Sequence, residues 1–168
     1  ISQRSLAEGL FAVTSAGIKG KEATELLTQA AKASAIGLGD TRSIALASSA
    51  VLNAYGDEAV SASRATDILA ATIKYGNLEA SSLAPVLGKV IGPAAALGIS
   101  FEEVGANVAT FTKLGGSAEN AVTTLGAVMN TFIKPTEQAK KALADVNLTS
   151  QDLRDKLKND GLADTLIF

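Results

Sequence analysis

Residues 98–115 read Gly-Ile-Ser-Phe-Glu-Glu-Val-Gly-Ala-Asn-Val-Ala-Thr-Phe-Thr-Lys-Leu-Gly and contain every signal of one short helix. Ser100 and Glu103 have the spacing of a capping box, in which a hydroxyl and a carboxylate accept hydrogen bonds from free backbone amides. Gly115 follows the last apolar residue, where a residue without a Cβ commonly ends a helix. Four residues at helical spacing form the predicted buried face: Phe101, Val104, Val108 and Phe111.

The same unit recurs along the chain, because glycines follow one another at intervals of 17 to 22 residues. The stretches between them are rich in Ala, Leu and Val at helical spacing, so the sequence predicts an all-α fold of short helices that end at glycines. The chain is 47% hydrophobic but 4% aromatic, which favours close helix crossings at Ala and Gly. The six glycines are Gly17, Gly37, Gly56, Gly76, Gly98 and Gly115.

Small and aliphatic residues form the predicted inward faces of the other helices. For the first four helices these faces are Leu6, Leu10 and Val13; Leu26, Leu27, Ala30 and Ala33; Ile44, Ala47, Val51 and Tyr55; and Ala62, Thr66, Leu69 and Ile73. Asp40 or Thr41 is the predicted N-cap of the third helix, Asp57 that of the fourth, and Ser117 that of a later one. That later helix has the clearest amphipathic pattern: Ala121, Val122, Leu125, Val128, Met129, Phe132 and Ile133.

Three prolines interrupt the scheme. Proline lacks a backbone donor and clashes with the preceding turn. The sequence therefore predicts a separate turn at residues 79–83, a new helix that begins near Pro85, and a kink or break at Pro93. Pro135 is predicted in the first turn of a further helix.

The spacing of the glycines also suits a repeat of helix pairs with a period near 40 residues. Residues do not recur at equivalent positions, however, and the sequence favours an irregular multi-helix bundle. After Leu143 the composition becomes charged, which predicts a helical core domain at residues 1–145 and a charged helical tail at 146–168, less tightly packed and capped by Thr149 with Asp152. Both termini read as cuts from a longer protein.

The residue types present exclude most chemistry. The chain has no His and no Cys, which removes the usual zinc ligands and the nucleophile–base pairs that need them. The formal net charge of -2 does not suit a nucleic-acid binder. Gly20-Lys21 and Gly88-Lys89 lack the other residues of a phosphate-binding loop. No catalytic, cofactor-binding or metal-binding residue is predicted.

Two features keep alternative interpretations open. Glu102 and Glu103 are adjacent carboxylates, but neighbours in a first helical turn point in different directions, so they are predicted to complement the helix dipole. Residues 83–99 are largely apolar and raise the possibility of membrane contact. They are shorter than a span of about 20 apolar residues and include Lys89 and two prolines, so a buried or interface hairpin is favoured.

The order of several short motifs resembles the conserved core of phage tail tape measure proteins over roughly residues 5–145. The most specific stretch combines Gly88-Lys89 with the segment from Pro93 to Glu103. The other matching motifs are Leu6-Ala-Glu-Gly-Leu10, Ser15-Ala-Gly17, Ala30-Ala-Lys-Ala33, Gly37-Leu-Gly-Asp-Thr41, Leu52-Asn-Ala-Tyr-Gly56, Asp67-Ile-Leu-Ala-Ala71, Leu114-Gly115 and Lys134-Pro135-Thr136.

This resemblance implies a structural, non-enzymatic module of a phage or prophage tail protein that sets tail length and organises tail-tube assembly. It implies tail-tube, tail-tip or assembly-chaperone proteins as partners, with self-association as a further expectation. It also implies a location in the virion tail, and in the host cytoplasm during assembly. Two alternatives stay open: a helical interaction module of another large assembly, and a membrane-perturbing segment that aids genome delivery.

Overall fold

A computed structural model describes residues 1–56 and 58–167, and these residues form α-helices without any strand. The all-α prediction is therefore confirmed. Asp57, the predicted cap of the fourth helix, lies outside the described residues, and Ser61 caps that helix. The helices are α1 (Gln3–Ser15), α2 (Gly20–Ala35), α3 (Thr41–Tyr55), α4 (Ala62–Gly76), α5 (Ala80–Leu97), α6 (Phe101–Lys113), α7 (Ala118–Ile133), α8 (Glu137–Asp145) and α9 (Ser150–Ile167).

Side-chain caps begin most of these helices, as the sequence predicts. The Asp40 carboxylate accepts a hydrogen bond from the Ser43 amide at 2.8 Å. Ser100 and Ser117 cap α6 and α7 in the same way. Thr149 and Asp152 accept hydrogen bonds from each other's amides at the start of α9. Such caps satisfy amides that have no partner within the helix.

Five of the six glycines occupy the left-handed region where helices end, but Gly76 does not. Gly76 is the last residue of α4, and Asn77, with φ of 53°, makes the left-handed turn after it. Asn tolerates this conformation better than other residues with a Cβ. The prediction that Gly76 ends a helix by its own conformation is therefore wrong. Gly76 instead allows the end of α4 to lie close to α6.

The helices α1 and α3 to α7 each make their main contact with a helix two places along the chain, whereas α2 contacts α3 most. The odd helices α1, α3, α5 and α7 form one layer, and α2, α4 and α6 form a second. The odd helices start at residues 3, 41, 80 and 118, so successive starts are 38, 39 and 38 residues apart. This stacking of helix pairs is more regular than the irregular bundle that the sequence favours. The arrangement of helix pairs thus repeats along the chain, although the residues at equivalent positions differ.

Contacts between α4 and α6 show that stacked helices run parallel. Arg64 contacts Glu102 near the start of each helix, and Gly76 lies against Ala109 near the end. A Cβ on Gly76 would lie 3.0 Å from the Ala109 Cα, and a Cβ on Gly105 would overlap the Thr72 hydroxyl. Glycine on each helix thus allows the two backbones to approach closely.

The helix α5 runs unbroken through both internal prolines, so the predicted separate turn, the predicted break and the predicted hairpin are wrong. Pro93 cannot donate a hydrogen bond to the Lys89 carbonyl one turn earlier. That carbonyl lies against Gly126 of α7, where an added Cβ would be 3.1 Å from its oxygen. The seven buried residues of α5 hold the helix in the core: Ala80, Leu83, Leu87, Val90, Ile91, Ala94 and Leu97. Tertiary packing therefore offsets the proline penalty.

Most predicted inward faces are buried, but α1 is an exception. Leu6 and Leu10 are 37% and 43% exposed, while Gly9, Ala12 and Val13 face the core. Close packing selects the smaller residues, because a Cβ on Gly9 would approach Leu27 and Thr41 to within 2.8 to 3.0 Å.

Two further predictions fail at helix ends. Phe111 is 37% exposed, and its ring covers Gly116 at the turn after α6 rather than entering the core. Pro135 precedes α8 instead of lying in its first turn, because Thr136 provides the cap.

The last two helices differ in burial. α8 has no buried residue, whereas Leu157 and Leu162 of α9 join the core. The helix α9 bends at Gly161, whose φ of 87° and ψ of 175° are not helical. The division into a core at residues 1–145 and a tail at 146–168 stays a prediction.

Changing Gly105 and Gly88 to Ala should have opposite effects on stability. Gly105→Ala would place a methyl group against Thr72, whereas a Cβ on Gly88 meets no atom within 4 Å. We expect Gly88→Ala to stabilise the fold by about 0.5–1 kcal/mol through helix propensity. Gly105→Ala should be less stable than Gly88→Ala by about 1–3 kcal/mol. Urea denaturation measures both; equal stabilities would contradict the close α4–α6 contact.

An aspartate in place of Val108 on α6 should destabilise the fold more than an aspartate in place of Leu125 on α7. The two helices touch each other, but α6 lies mainly along α4 and α7 along α5. Val108 is fully buried and Leu125 is half-buried. Val108→Asp should therefore lower the free energy of unfolding by at least about 3 kcal/mol, and Leu125→Asp by less than about 2 kcal/mol. Thermal unfolding followed by circular dichroism tests the order, and the reverse order would contradict the packing.

Candidate functional site

The described residues contain no group of three or more Asp, Glu, His or Cys side chains that could hold a metal ion. The two Gly-Lys pairs lie in helices rather than in phosphate-binding loops. Gly20 and Lys21 begin α2, and Gly88 and Lys89 lie in the middle of α5. The Lys89 ammonium is 3.3 Å from the Glu119 carboxylate on α7, where it makes an exposed ion pair.

The adjacent carboxylates of α6 serve two separate contacts. The Glu102 carboxylate lies 2.8 Å from the Arg64 guanidinium, which links the starts of α6 and α4. The Glu103 carboxylate accepts a hydrogen bond from the Leu162 amide. Only the serine half of the predicted capping box forms, because Ser100 accepts from the Glu103 amide while the Glu103 carboxylate bonds the amide of Leu162, 59 residues further along the chain.

Glu103 acts as a cap for the last part of α9. The bend at Gly161 separates the residues from Leu162 onward from the preceding turns and exposes their first amides. A Cβ on Gly161 would lie 2.8 Å from the Glu103 carboxylate oxygen, so glycine leaves room for the contact. Leu162 itself is fully buried beside it. This contact fixes the end of α9 against α6 and was not predicted.

Tyr55 lies beside these carboxylates and has a structural role. Its hydroxyl donates a hydrogen bond to the Ile99 carbonyl at 2.9 Å. Burial, and then the negative charges of Glu102 and Glu103, raise the pKa of Tyr55. The phenol therefore remains protonated at neutral pH and acts as a donor. It joins the end of α3 to the connection between α5 and α6.

A groove of about 460 Å³ runs between α4 and α6 on the surface. Four small residues are part of its lining: Ala71, Gly105, Ala106 and Ala109. Tyr75, which is 68% exposed, forms part of the wall. Charges of both signs line the rest: Arg64, Asp67, Glu102 and Lys113. The groove offers contact surface with no nucleophile–base pair.

Two more apolar grooves lie on the surface. One of about 420 Å³ lies between α1 and α2 and includes Leu6, Leu27 and Ala31. The other, of about 280 Å³, lies where α7, α8 and α9 meet and includes Phe132 and Leu153. Shallow apolar grooves between helices suit the docking of protein segments. No sequence signal predicts these grooves beyond the small residues, because each groove joins separate helices.

The helix α5 has the length and composition of a membrane-spanning helix, with a mean hydropathy of 1.3 over 18 residues. It is also the helix that connects α3 to α7 in the odd layer. A buried core helix passes the same test of length and apolarity, so this property is weak support for membrane contact.

These features define an all-α module with grooves between helices at its surface. The family model of phage-related minor tail proteins matches residues 1–166. The chain therefore belongs to the phage-related minor tail protein family, whose members are structural proteins of the phage tail. This membership favours the phage interpretation over another large assembly.

A curated relative supports the same family. The chain is 26% identical over 151 residues to the tape measure protein of Pneumococcus phage Dp-1. The match covers 90% of this chain and 13% of that protein, so the chain spans a small part of the relative's length. No solved structure matches the chain.

Removing the Glu103 carboxylate should release the end of α9. We expect Glu103→Ala to accelerate amide hydrogen exchange at Leu162, since a hydrogen bond to a charged group contributes about 1.5–3 kcal/mol. Glu102→Ala is the matched control, because it removes only the ion pair with Arg64 and should leave the exchange at Leu162 unchanged. Equal exchange rates in the two variants would show that Glu103 does not hold α9.

Proposed function

We propose that this chain is a folded structural module of a tape measure protein, and that it helps to set tail length and to organise tail-tube assembly. The observation that carries the proposal is the match with a tape measure protein along 90% of the chain. The structure supports it, because stacked helices with surface grooves provide contact area for other proteins.

The proposed partners are tail-tube, tail-tip or assembly-chaperone proteins, met in the host cytoplasm during assembly. We also propose that the module acts without turnover. The support comes from three neighbouring side chains, each of which already makes a structural contact: Glu102, Glu103 and Tyr55.

The fold bears on how such a module contributes to length. A continuous helix rises about 1.5 Å per residue, so 168 residues would span about 250 Å in that form. In the observed fold the described chain forms separate helices of at most 18 residues, which lie side by side. We therefore propose that the chain is a folded part of the tape measure protein rather than its measuring stretch.

Duplicating the segment in a phage tests this proposal. In a phage whose tape measure gene encodes residues 1–168, an in-frame duplication should lengthen the tail by much less than about 250 Å. Electron microscopy of the tails gives the measurement. A duplication of equal length in a long helical stretch of the same protein is the control and should give the full increase.

Two outcomes would contradict the proposal. An increase of about 250 Å would show that the chain is extended inside the tail and measures length directly. Normal tails after complete deletion of the segment would show that it has no part in assembly. The membrane alternative predicts leakage of liposomes on addition of the folded chain, whereas the proposed structural role predicts none.

A further inference from the structure

The groove between α4 and α6 carries opposite charges at its two ends. Because the two helices run parallel, their starts lie together and so do their ends. Arg64, Asp67 and Glu102 lie near the starts and together carry one net negative charge. Lys74 and Lys113 lie in the last turns, and neither helix has an acidic residue in its second half. The groove is therefore acidic where the helices begin and basic where they end.

Three of these charged side chains make no ion pair with any other residue that the structure describes: Asp67, Lys74 and Lys113. Arg64 and Glu102 pair with each other across 2.8 Å, and 59% and 43% of their side chains stay exposed. Asp67 and both lysines are exposed as well. The charges at each end of the groove are thus accessible to a second molecule.

Small residues separate the two ends of the groove. Ala71 lies on α4, and Gly105 and Ala106 lie on α6. Helices can approach closely where the facing residues are Ala or Gly. Tyr75 is the exposed aromatic residue of the lining, and its ring centre lies 5.9 Å from the Lys74 ammonium. A second pair of helices can therefore reach the middle of the groove, where the tyrosine ring offers an apolar contact.

This distribution of charge is complementary to a second copy of the same groove. A two-fold axis that lies in the contact plane, at right angles to α4 and α6, places the starts of both helices against their own ends in the second copy. The acidic end then meets the basic end twice, whereas a parallel contact would bring like charges together. Complementary charge favours the first contact and disfavours the second. Such an isologous contact closes as a dimer.

We infer that two copies of this chain associate through their α4–α6 grooves in this antiparallel way, with Lys113 of each copy against Glu102 of the second copy. Each helix then lies on the same helix of the second copy, and the four form a bundle. Ala106 faces Ala109 of the second copy on either side of the axis. This contact gives the self-association expected from the family resemblance a defined surface.

Sedimentation equilibrium tests the dimer. The chain of residues 1–168 should change from monomer to dimer between about 1 µM and 1 mM. Lys113→Glu should raise the Kd about 10-fold or more, because it places a glutamate against Glu102 of the second copy at both ends of the contact. Lys32→Glu is the matched control: Lys32 is exposed in the last turn of α2, outside this groove, so the same change of charge should leave the Kd unchanged. Circular dichroism should show the wild-type fold in both variants, since both side chains are exposed.

Exchanging the two charges tests the pairing itself. Glu102→Lys should also weaken the dimer, because it places a lysine against Lys113 of the second copy. It removes an exposed ion pair with Arg64, which contributes about 0–1 kcal/mol, so the fold should persist. An equal mixture of Glu102→Lys and Lys113→Glu copies should form a mixed dimer with a Kd near that of the wild type, since each new charge then faces its opposite. Sedimentation with a fluorophore on one variant alone detects this dimer.

Three results would overturn the inference. The wild-type chain could stay monomeric at about 1 mM, which would exclude a second copy as the occupant of the groove. Lys113→Glu could dimerise as well as Lys32→Glu, or better. The mixture of the two groove variants could associate no more tightly than either variant alone. A monomeric chain would not contradict the proposed function, because the tail-length experiment tests that function separately.

Discussion

The close approach of helices that are two places apart in the chain is the constraint on which the structure depends. At the α4–α6 contact, Gly76 and Gly105 leave no room for a methyl group. At the α5–α7 contact, Gly126 meets the backbone of Lys89 directly. Because backbones meet at these points, the helices stay parallel and in register, and the two layers follow. The groove between α4 and α6 is the outer side of one of these contacts.

Local features of the fold could be predicted from the sequence, and features set by tertiary contacts could not. The caps Asp40 and Ser117 and the face of α4 depend on residues within one or two turns, and they are found as expected. The large local penalty of Pro93 predicts a kink or a break, yet packing keeps α5 whole. The layered stacking has no signal in any single helix, since it depends on which small residues meet.

The candidate contact surfaces were even less accessible from the sequence. The absence of His and Cys limits the possible chemistry at once. The spacing of Ser100 and Glu103 predicts that Glu103 caps its own helix, whereas its carboxylate bonds an amide of α9. This spacing is the same whether the carboxylate bonds its own helix or a distant one, so the sequence cannot distinguish the two. The proposed function rests on the order of motifs along the chain and on family membership, not on any reactive group.

The stacking has a mechanical consequence. Since the main contacts join each helix to those one or two places away, a pulling force at the chain's start meets the α1–α2 pair before the α5–α7 contact bears load. Stacked arrays of this kind lose order in stages rather than all at once. The bond from Glu103 to Leu162 opposes this at the other end, where it fastens the end of α9 to α6. Apart from that bond α9 contacts α5 and α7 only sparsely and α8 has no buried residue, so a pull at the chain's end separates these two helices from the stack before it loads the α5–α7 contact.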